Sequence, residues 1–269
     1  MKKFVTLILF SIAVLQSYGQ TAESFLKLGQ NRAIKGDYTG AIADYDKAIE
    51  LNPKDAEVYN NRGITKTNLQ DYRGAIADYD KAIELNPKYA YAYFSRGYAK
   101  QTIKDYKGAI ADYTKAIELN PKDADVYNNR GSAKRKLEDY RGAIADYTKA
   151  IELNPKFADA YFNKGNAKAN LQDYRGAIAD YTKAIELNLK FADAYNNRGS
   201  AKDELEDYRG AIADYTKAIE LNPKDADAYF NRGNAKFILK EKDGACLDWS
   251  KAGELGDANA YDLIKKYCN

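Results

Sequence analysis

Apolar residues recur along this chain at steps of three and four, the spacing that lines one face of an α-helix. Within residues 124–157, Ala143, Tyr147 and Ala150 fall on one such face, with Ile144 and Ile151 beside them. Asp139 stands where a helix N-cap accepts backbone amides, and Asn154-Pro155 stands where a helix must stop. The pattern predicts a helix over Tyr140–Leu153. Upstream, Asp123 predicts the cap of a first helix from about Ala124 to Leu137. Tyr127, Gly131 and Leu137 mark its packing side, with Ala133 alongside. Gly131 and Ala143 are small enough for two helices to approach closely. The block reads as one αα-hairpin.

That hairpin repeats. The stretch Tyr140–Lys156 returns unchanged at Tyr208–Lys224. It returns with one change at Tyr72–Lys88, Tyr106–Lys122 and Tyr174–Lys190, and with two at Tyr38–Lys54. The step is 34 residues throughout, the mark of a stacked array and not of one globular core. Framed by this period, the units are 22–55, 56–89, 90–123, 124–157, 158–191, 192–225 and 226–259. The remnant 260–269 carries Leu263, Ile264 and Tyr267 at helical spacing and is expected to cap the last apolar face.

The residues Tyr127, Gly131, Tyr140, Ala143, Tyr147, Ala150 and Pro155, repeated in register from Ala22 to about Asn259, resemble the tetratricopeptide repeat family. The resemblance implies an all-α fold, an αα-hairpin solenoid wound into a right-handed superhelix. Two positions depart from it. Arg62, Arg96, Arg130, Lys164, Arg198 and Arg232 stand where the family often has Leu, and only Leu28 stays apolar. Arg32, Lys66, Lys100, Lys134, Lys168, Lys202 and Lys236 stand where it often has Tyr. Leu189 replaces the Pro of the fifth unit, so that junction is expected to be less rigid or to continue as helix.

Each second helix carries an Asp next to its central aromatic: Asp44, Asp78, Asp112, Asp146, Asp180, Asp214 and Asp248. Leu28 offers Asp44 no charge, whereas Arg62 of the next unit does. Extending this rule pairs Asp78 with Arg96, Asp112 with Arg130, Asp146 with Lys164, Asp180 with Arg198, Asp214 with Arg232 and Asp248 with Lys266. The expectation is a ladder of ion pairs between hairpins that fixes stacking register.

In the family that the repeats resemble, first helices form the inner surface and often hold a peptide or protein segment. Carried over position by position, the groove would present Asn61, Asn129, Asn163, Asn197 and Asn231, whose amides both donate and accept. Ser95 occupies the same row. Beside them stand Phe94, Phe162 and Phe230 at every second hairpin, with Tyr98, Asn166 and Asn234 one turn on and Arg135, Asp203 and Phe237 beyond. The Phe series is either lateral packing or a set of pockets for partner side chains. Tyr89, Phe157 and Phe191 end their units near the same surface. One subtype of the family clamps acidic chaperone tails with basic residues; those positions here are Asn128, Phe162, Asp159 and Asp193, so that clamp is absent.

Composition narrows the function. The mean hydropathy is −0.66, yet 45% of residues are hydrophobic, as suits a thin, continuous core. The net charge is +3, and Lys2 and Lys3 supply two of those charges, so the rest is near neutral and nucleic acid is not an expected partner. The chain has no His, which removes His-based catalysis and metal sites that need it. No nucleophile–base arrangement or phosphate loop is visible. The expectation is a non-enzymatic scaffold for a protein or peptide, with no cofactor and no metal. Self-association through ends or convex face, as a homo-oligomer, is the main alternative. Binding of a glycan or peptidoglycan fragment is a weaker one.

Met1–Lys3 is positive, Phe4–Leu15 is apolar, and Ser17-Tyr18-Gly19 is small-residue-like, so residues 1–19 read as a bacterial secretory signal peptide. The apolar run is short of the roughly 20 residues that span a bilayer. The mature chain is therefore expected in the periplasm or secreted, without membrane insertion, and in an envelope complex. Cys246 and Cys268 would be either a disulfide stapling the cap or two buried thiols.

Overall fold

The computed structural model describes residues 21–268, and the expected signal peptide lies outside them. The chain divides into two compact units, Met1–Pro121 and Lys122–Asn269. The first holds α1 (Ala22–Ile34), α2 (Tyr38–Leu51), α3 (Ala56–Asn68), α4 (Tyr72–Leu85), α5 (Ala90–Thr102) and α6 (Tyr106–Leu119). The second holds α7 (Ala124–Lys136), α8 (Tyr140–Leu153), α9 (Ala158–Asn170), α10 (Tyr174–Leu187), α11 (Ala192–Asp203), α12 (Tyr208–Leu221), α13 (Ala226–Ile238), α14 (Lys242–Glu254) and α15 (Ala258–Tyr267). Among the described residues all regular structure is helical. Each unit is a stack of αα-hairpins, and α15 begins two residues inside the seventh repeat.

The hairpins are set by local chemistry. In the fourth, Leu137 ends α7 and Glu138 takes a left-handed conformation at φ 62°. Asp139 then caps α8 by accepting the Gly142 amide at 2.9 Å. The same left-handed turn falls on Gln70, Lys104, Gln172, Glu206 and Lys240, and on Gly36 in the first hairpin. At the other end, the Asn154 amide donates to Ala150 while its side-chain oxygen accepts the Lys156 amide. Asn188 does the same without a following Pro. Helix α10 ends at Leu187 like its siblings and Leu189 lies exposed, so the expected extension does not occur. The Asn turn, not the Pro, is sufficient to stop the helix.

Packing repeats as strictly. Ala143, Tyr147 and Ala150 are fully buried. Gly131 lies under the Tyr147 ring, where an added Cβ would sit 2.8 Å from Cε1. Trp249 takes the Tyr role in the seventh hairpin, over Gly233. Each second helix packs on the first helix of its own hairpin and, within its unit, on the next first helix. Neighbouring first helices also touch one another, whereas second helices touch mainly first helices. The first-helix row is thus the tighter, inner face of each stack.

The end of the second unit is closed by α15. Trp249, Phe237 and Tyr267 pack there, with Phe237 and Tyr267 centroids 4.6 Å apart. Cys246 and Cys268 are joined as a disulfide, with Cα atoms 5.8 Å apart. In a loop-closure account, a bond across about 20 residues contributes about 3 kcal/mol.

Candidate binding groove

The Asp–Arg ladder exists, but its pairing differs from the sequence expectation. Asp146 meets Arg130 of its own hairpin at 2.7 Å and 3.0 Å, and Lys134 at 2.8 Å, not Lys164. Asp78 takes Arg62 and Lys66, Asp112 takes Arg96 and Lys100, and Asp214 takes Arg198 and Lys202. Asp180 takes Lys164 and Lys168. Asp248 takes Arg232 and Lys236, while Lys266 lies over the Tyr267 ring. Asp44 is served at 3.0 Å by Arg32, the basic residue one turn along from Leu28. The second basic row, which the next-unit rule ignored, supplies the partner that seemed missing.

Each carboxylate is buried, and all but Asp44 meet two bases of their own hairpin, so the Asp ties one hairpin together. The link between hairpins comes from the outer guanidinium nitrogen. Arg62 and Arg96 reach back to Asp46 and Asp80 at 2.5 and 2.6 Å. Arg198 and Arg232 reach back to the hydroxyls of Thr182 and Thr216 at 3.0 and 3.1 Å. The same guanidinium groups lie over Tyr59, Tyr93, Tyr195 and Tyr229. These bases spend their donors on contacts within the fold.

On the groove face of the first unit, Asn60 is fully buried and the side-chain nitrogen of Asn61 is sealed without a partner. Ser95 is buried. Phe94 is half-buried against Tyr91 and Tyr113, both at 6.0 Å, whereas Tyr98 is exposed. In the second unit, Asn129 donates to the Asp125 carbonyl and Asn163 donates to Asn128. Asn166 accepts from both Tyr181 and Asn197, each at 2.8 Å, and Asn234 accepts from Trp249. Asn231 is half-buried. Phe162 packs on Phe191 at 4.7 Å and on Tyr181, and Phe230 packs on the Trp249 cluster. The Phe rings thus each pack on the central aromatic of their own second helix or its cluster, and much of the Asn row is engaged within the fold.

Two cavities open on this face in the second unit. One, of about 410 Å³, is walled by Arg135, Asn166, Ala169, Tyr181, Asn197 and Ser200, with Asn170, Tyr174 and Glu204 completing it. The other, of about 480 Å³, lies among Phe162, Asn196, Asn197, Lys224 and the acids Asp193, Asp225 and Asp227. Asn197 borders both. Sequence reading noticed Arg135 but not the cavity, whose signal was Ala169. The equivalent first-helix position is Ala33 in the first hairpin and Phe237 in the seventh. Elsewhere it carries Arg135, whose charge opposes the rise of the Tyr147 hydroxyl, and Thr67, Gln101 and Asp203, each of which engages its hairpin's buried Tyr hydroxyl. Ala169 is too short to do so. Tyr181 bonds Asn166 instead, and space is left.

Burial raises the Tyr hydroxyls above their usual range, Tyr79 to about 12. Burial also raises the Asp203 carboxyl, which accepts from Tyr215 at 2.7 Å and has its other oxygen sealed without a partner. Among the described residues no group of side chains could hold a metal ion, and no helix is long and apolar enough to cross a membrane.

Models of the TPR repeat match residues 29–70, 103–137 and 204–238. Models of the tetratricopeptide repeat match 56–89, 124–157, 158–191 and 78–111. The chain belongs to the tetratricopeptide repeat family. Among solved structures it is similar to YrrB, a TPR protein described as having an unusual peptide-binding site. The identity is 30% over 68% of this chain and 95% of that one, with a TM-score of 0.60. MamA from Desulfovibrio magneticus is 25% identical over 64% of this chain and 98% of its own, with a TM-score of 0.61. A tetratricopeptide repeat protein from Parabacteroides merdae shares the fold at 22% identity, covering 93% of this chain and all of that one, with a TM-score of 0.69. No curated protein matches the chain.

Proposed function

We propose that this protein is a non-enzymatic scaffold that holds a protein or peptide segment on its first-helix face, exported to the bacterial periplasm or beyond and working in an envelope complex. The observation that carries the reading is the contrast between the two helix rows. Six of the seven second helices keep nearly one sequence and turn their buried Asp and Tyr inward. The first helices vary at the groove and leave two adjoining cavities around Asn197. The similarity to YrrB, a TPR protein with a peptide-binding site, supports the same reading. Export is supported by residues 1–19 as a leader and by the Cys246–Cys268 disulfide, which suits an oxidising compartment.

The test is selection of a displayed library of random dodecapeptides on the purified protein, with an Asn197→Arg variant beside it. The longer, charged side chain stands between the two cavities and intrudes on both. Peptides enriched on the parent and lost on the variant, at unchanged helicity, support the groove. Peptides that ignore the change place binding elsewhere. Cell fractionation tests export separately, and retention of the chain in the cytoplasm would overturn that part.

One observation favours self-association as a second reading. Leu28 is exposed at 40% where later repeats place a base that reaches back to the preceding hairpin. Sedimentation across a hundredfold concentration range decides it, and Leu28→Arg should abolish any assembly through that end.

A further inference from the structure

The first and last hairpins are finished differently. In α13, two small residues seven apart face the preceding second helix and are fully buried: Ala228 clusters with Ala218, and Ala235 with Tyr215. In α1 the same two positions are Ser24 and Asn31, and Asn31 is exposed. The first hairpin is therefore closed by polar residues that belong to it. The last is closed by a separate helix. Helix α15 repeats the geometry of α13, with Ala260 in the Ala252 cluster and Tyr267 on the Trp249 ring, again seven residues apart.

Helix α15 is a weakly tied version of a first helix. It has ten residues, too few to be stable by propensity alone. Ala260 is its one buried residue, while Leu263, Ile264 and Tyr267 are half-buried. Helices α9, α11 and α13 each pack on second helices at both sides, whereas α15 packs chiefly on α14, with Tyr267 reaching Phe237. The ion-pair ladder stops before it, since Asp248 takes Arg232 and Lys236 of its own hairpin. Leu255-Gly256-Asp257 joins α14 to α15, with Gly256 at φ 106°. The near end of α15 is held by that turn, and its far end by the bond from Cys268 to Cys246 of α14. Both cysteines are half-buried, so each is partly open to solvent.

We propose that Cys246–Cys268 is a redox latch: α15 stays on α14 while the bond is intact and leaves when it is reduced. In the opening step the Sγ–Sγ bond breaks and two thiols form. A dithiol reductant supplies both electrons and both protons as it closes its own disulfide. Release uncovers Ala245, Trp249 and Ala252, the kind of surface on which earlier second helices receive the next first helix. Reoxidation re-forms the bond and covers that surface again. An oxidising compartment keeps the latch closed. Nothing in the latch depends on the groove.

Trp249 is the one Trp of the chain, so its fluorescence reads the cap directly. The full chain is compared oxidised, reduced by dithiothreitol, and as the Cys246→Ser/Cys268→Ser variant without reductant. Reduction should move the emission to longer wavelength and raise acrylamide quenching about threefold or more. The variant should match the reduced chain, and if it fails to fold the reduced parent chain still gives every reading. Far-UV helicity should fall by no more than the ten residues of α15. Hydrogen exchange should quicken in α15 and stay unchanged in α9–α12. Unchanged emission and quenching after complete reduction, verified by alkylation and mass, would overturn the latch, because the cap then packs without its bond. Melting of α13 and α14 together with α15 would also overturn it, since the bond would then hold the whole hairpin. Reoxidation should restore the original emission, and a re-formed bond with Trp249 still open to quencher would overturn the reversible step.

Discussion

The two helix rows obey different rules. In the second helices, residues 140–153, 174–187 and 208–221 are identical in sequence, and their buried Asp and Tyr side chains meet partners inside their own hairpin. In the first helices the small and basic packing positions repeat, while the groove positions change from hairpin to hairpin. Asn128 bonds Asn163, Asn166 bonds Asn197, and Arg135, Asn196 and Asp203 keep sealed atoms without partners. The sealed Asp44 and Asp180 oxygens of the second-helix row still face a base at 3.0 and 2.7 Å, whereas these first-helix atoms face none. The buried ion pairs centre on the near-invariant row, and the residues that differ between hairpins lie mostly in the other.

The comparison is tested hardest at Asp146. Changing Asp146→Ala leaves Arg130 and Lys134 without their carboxylate in a largely buried site. The expected loss is about 3 kcal/mol, the low end of the range for such pairs, because both bases retain some access to water. Chemical denaturation measures it. Because each repeat touches only its neighbours, hydrogen exchange should show loosening confined to α7–α9. A loss under 1 kcal/mol would mean the ladder contributes little.

Next is Gly131→Ala. The new Cβ would stand 2.8 Å from the Tyr147 ring, so the hairpin must open. Overpacking of this kind costs about 1–3 kcal/mol, and the better helix propensity of Ala returns up to about 1 kcal/mol. The expected net is a loss of about 1–2 kcal/mol, read as a lower thermal midpoint. A neutral result would show that the close approach of the helices is not required.

These two sites show what could be read in the sequence. Many helix limits followed from Asp caps and Asn turns, because those ends are decided by a few adjacent residues, while Tyr89, Phe157, Phe191 and Glu241 begin helices without a side-chain cap. The pairing of Asp146 was misread because it depends on side-chain reach. Arg130 and Lys134 are one turn apart and both reach the same carboxylate, and the absence of a charge at Leu28 hid the service that Arg32 gives Asp44. Leu189 misled for a similar reason, since Asn188 was already enough to end the helix. The Asn row was legible as polar, but which of its atoms remain free depends on Tyr181, Trp249 and neighbouring Asn residues. The Arg135 cavity was invisible because it is made by a missing side chain at Ala169.

The turn between the rows offers a smaller, stabilising change. Glu138 holds φ 62°, a conformation that costs an ordinary residue about 1 kcal/mol, and the first hairpin has Gly36 at the equivalent place. Glu138→Gly should raise stability by about 0.5 kcal/mol after the extra chain entropy of Gly is set against the relieved strain. An unchanged or lower denaturation midpoint would mean that the Glu138 side chain compensates for its backbone.

The smallest effect belongs to Asp203, and it separates the rows most cleanly. Burial raises its carboxyl above the ordinary 3.8, with Glu204 and Asp207 adding repulsion, while the Tyr215 hydroxyl donates to one oxygen and opposes the rise. A carboxyl whose pKa is higher folded than unfolded binds more protons in the folded state across the interval between the two values. Stability therefore falls as pH rises through that interval, and the penalty is complete above it. Asp203→Asn should stabilise the protein at neutral pH by up to about 1 kcal/mol, since the amide oxygen still accepts from Tyr215 without a buried charge. The gain should fade as pH drops through the ordinary carboxyl range and vanish below about pH 3, where the carboxyl is protonated in both states. Paired denaturation curves at pH 7 and about pH 3 measure it. On the second-helix row the equivalent removal of charge, at Asp146, destabilises at neutral pH. Opposite signs for buried Asp146 and half-buried Asp203 would show that the groove row retains a group the fold does not need. Equal signs would make Asp203 one more member of the structural ladder.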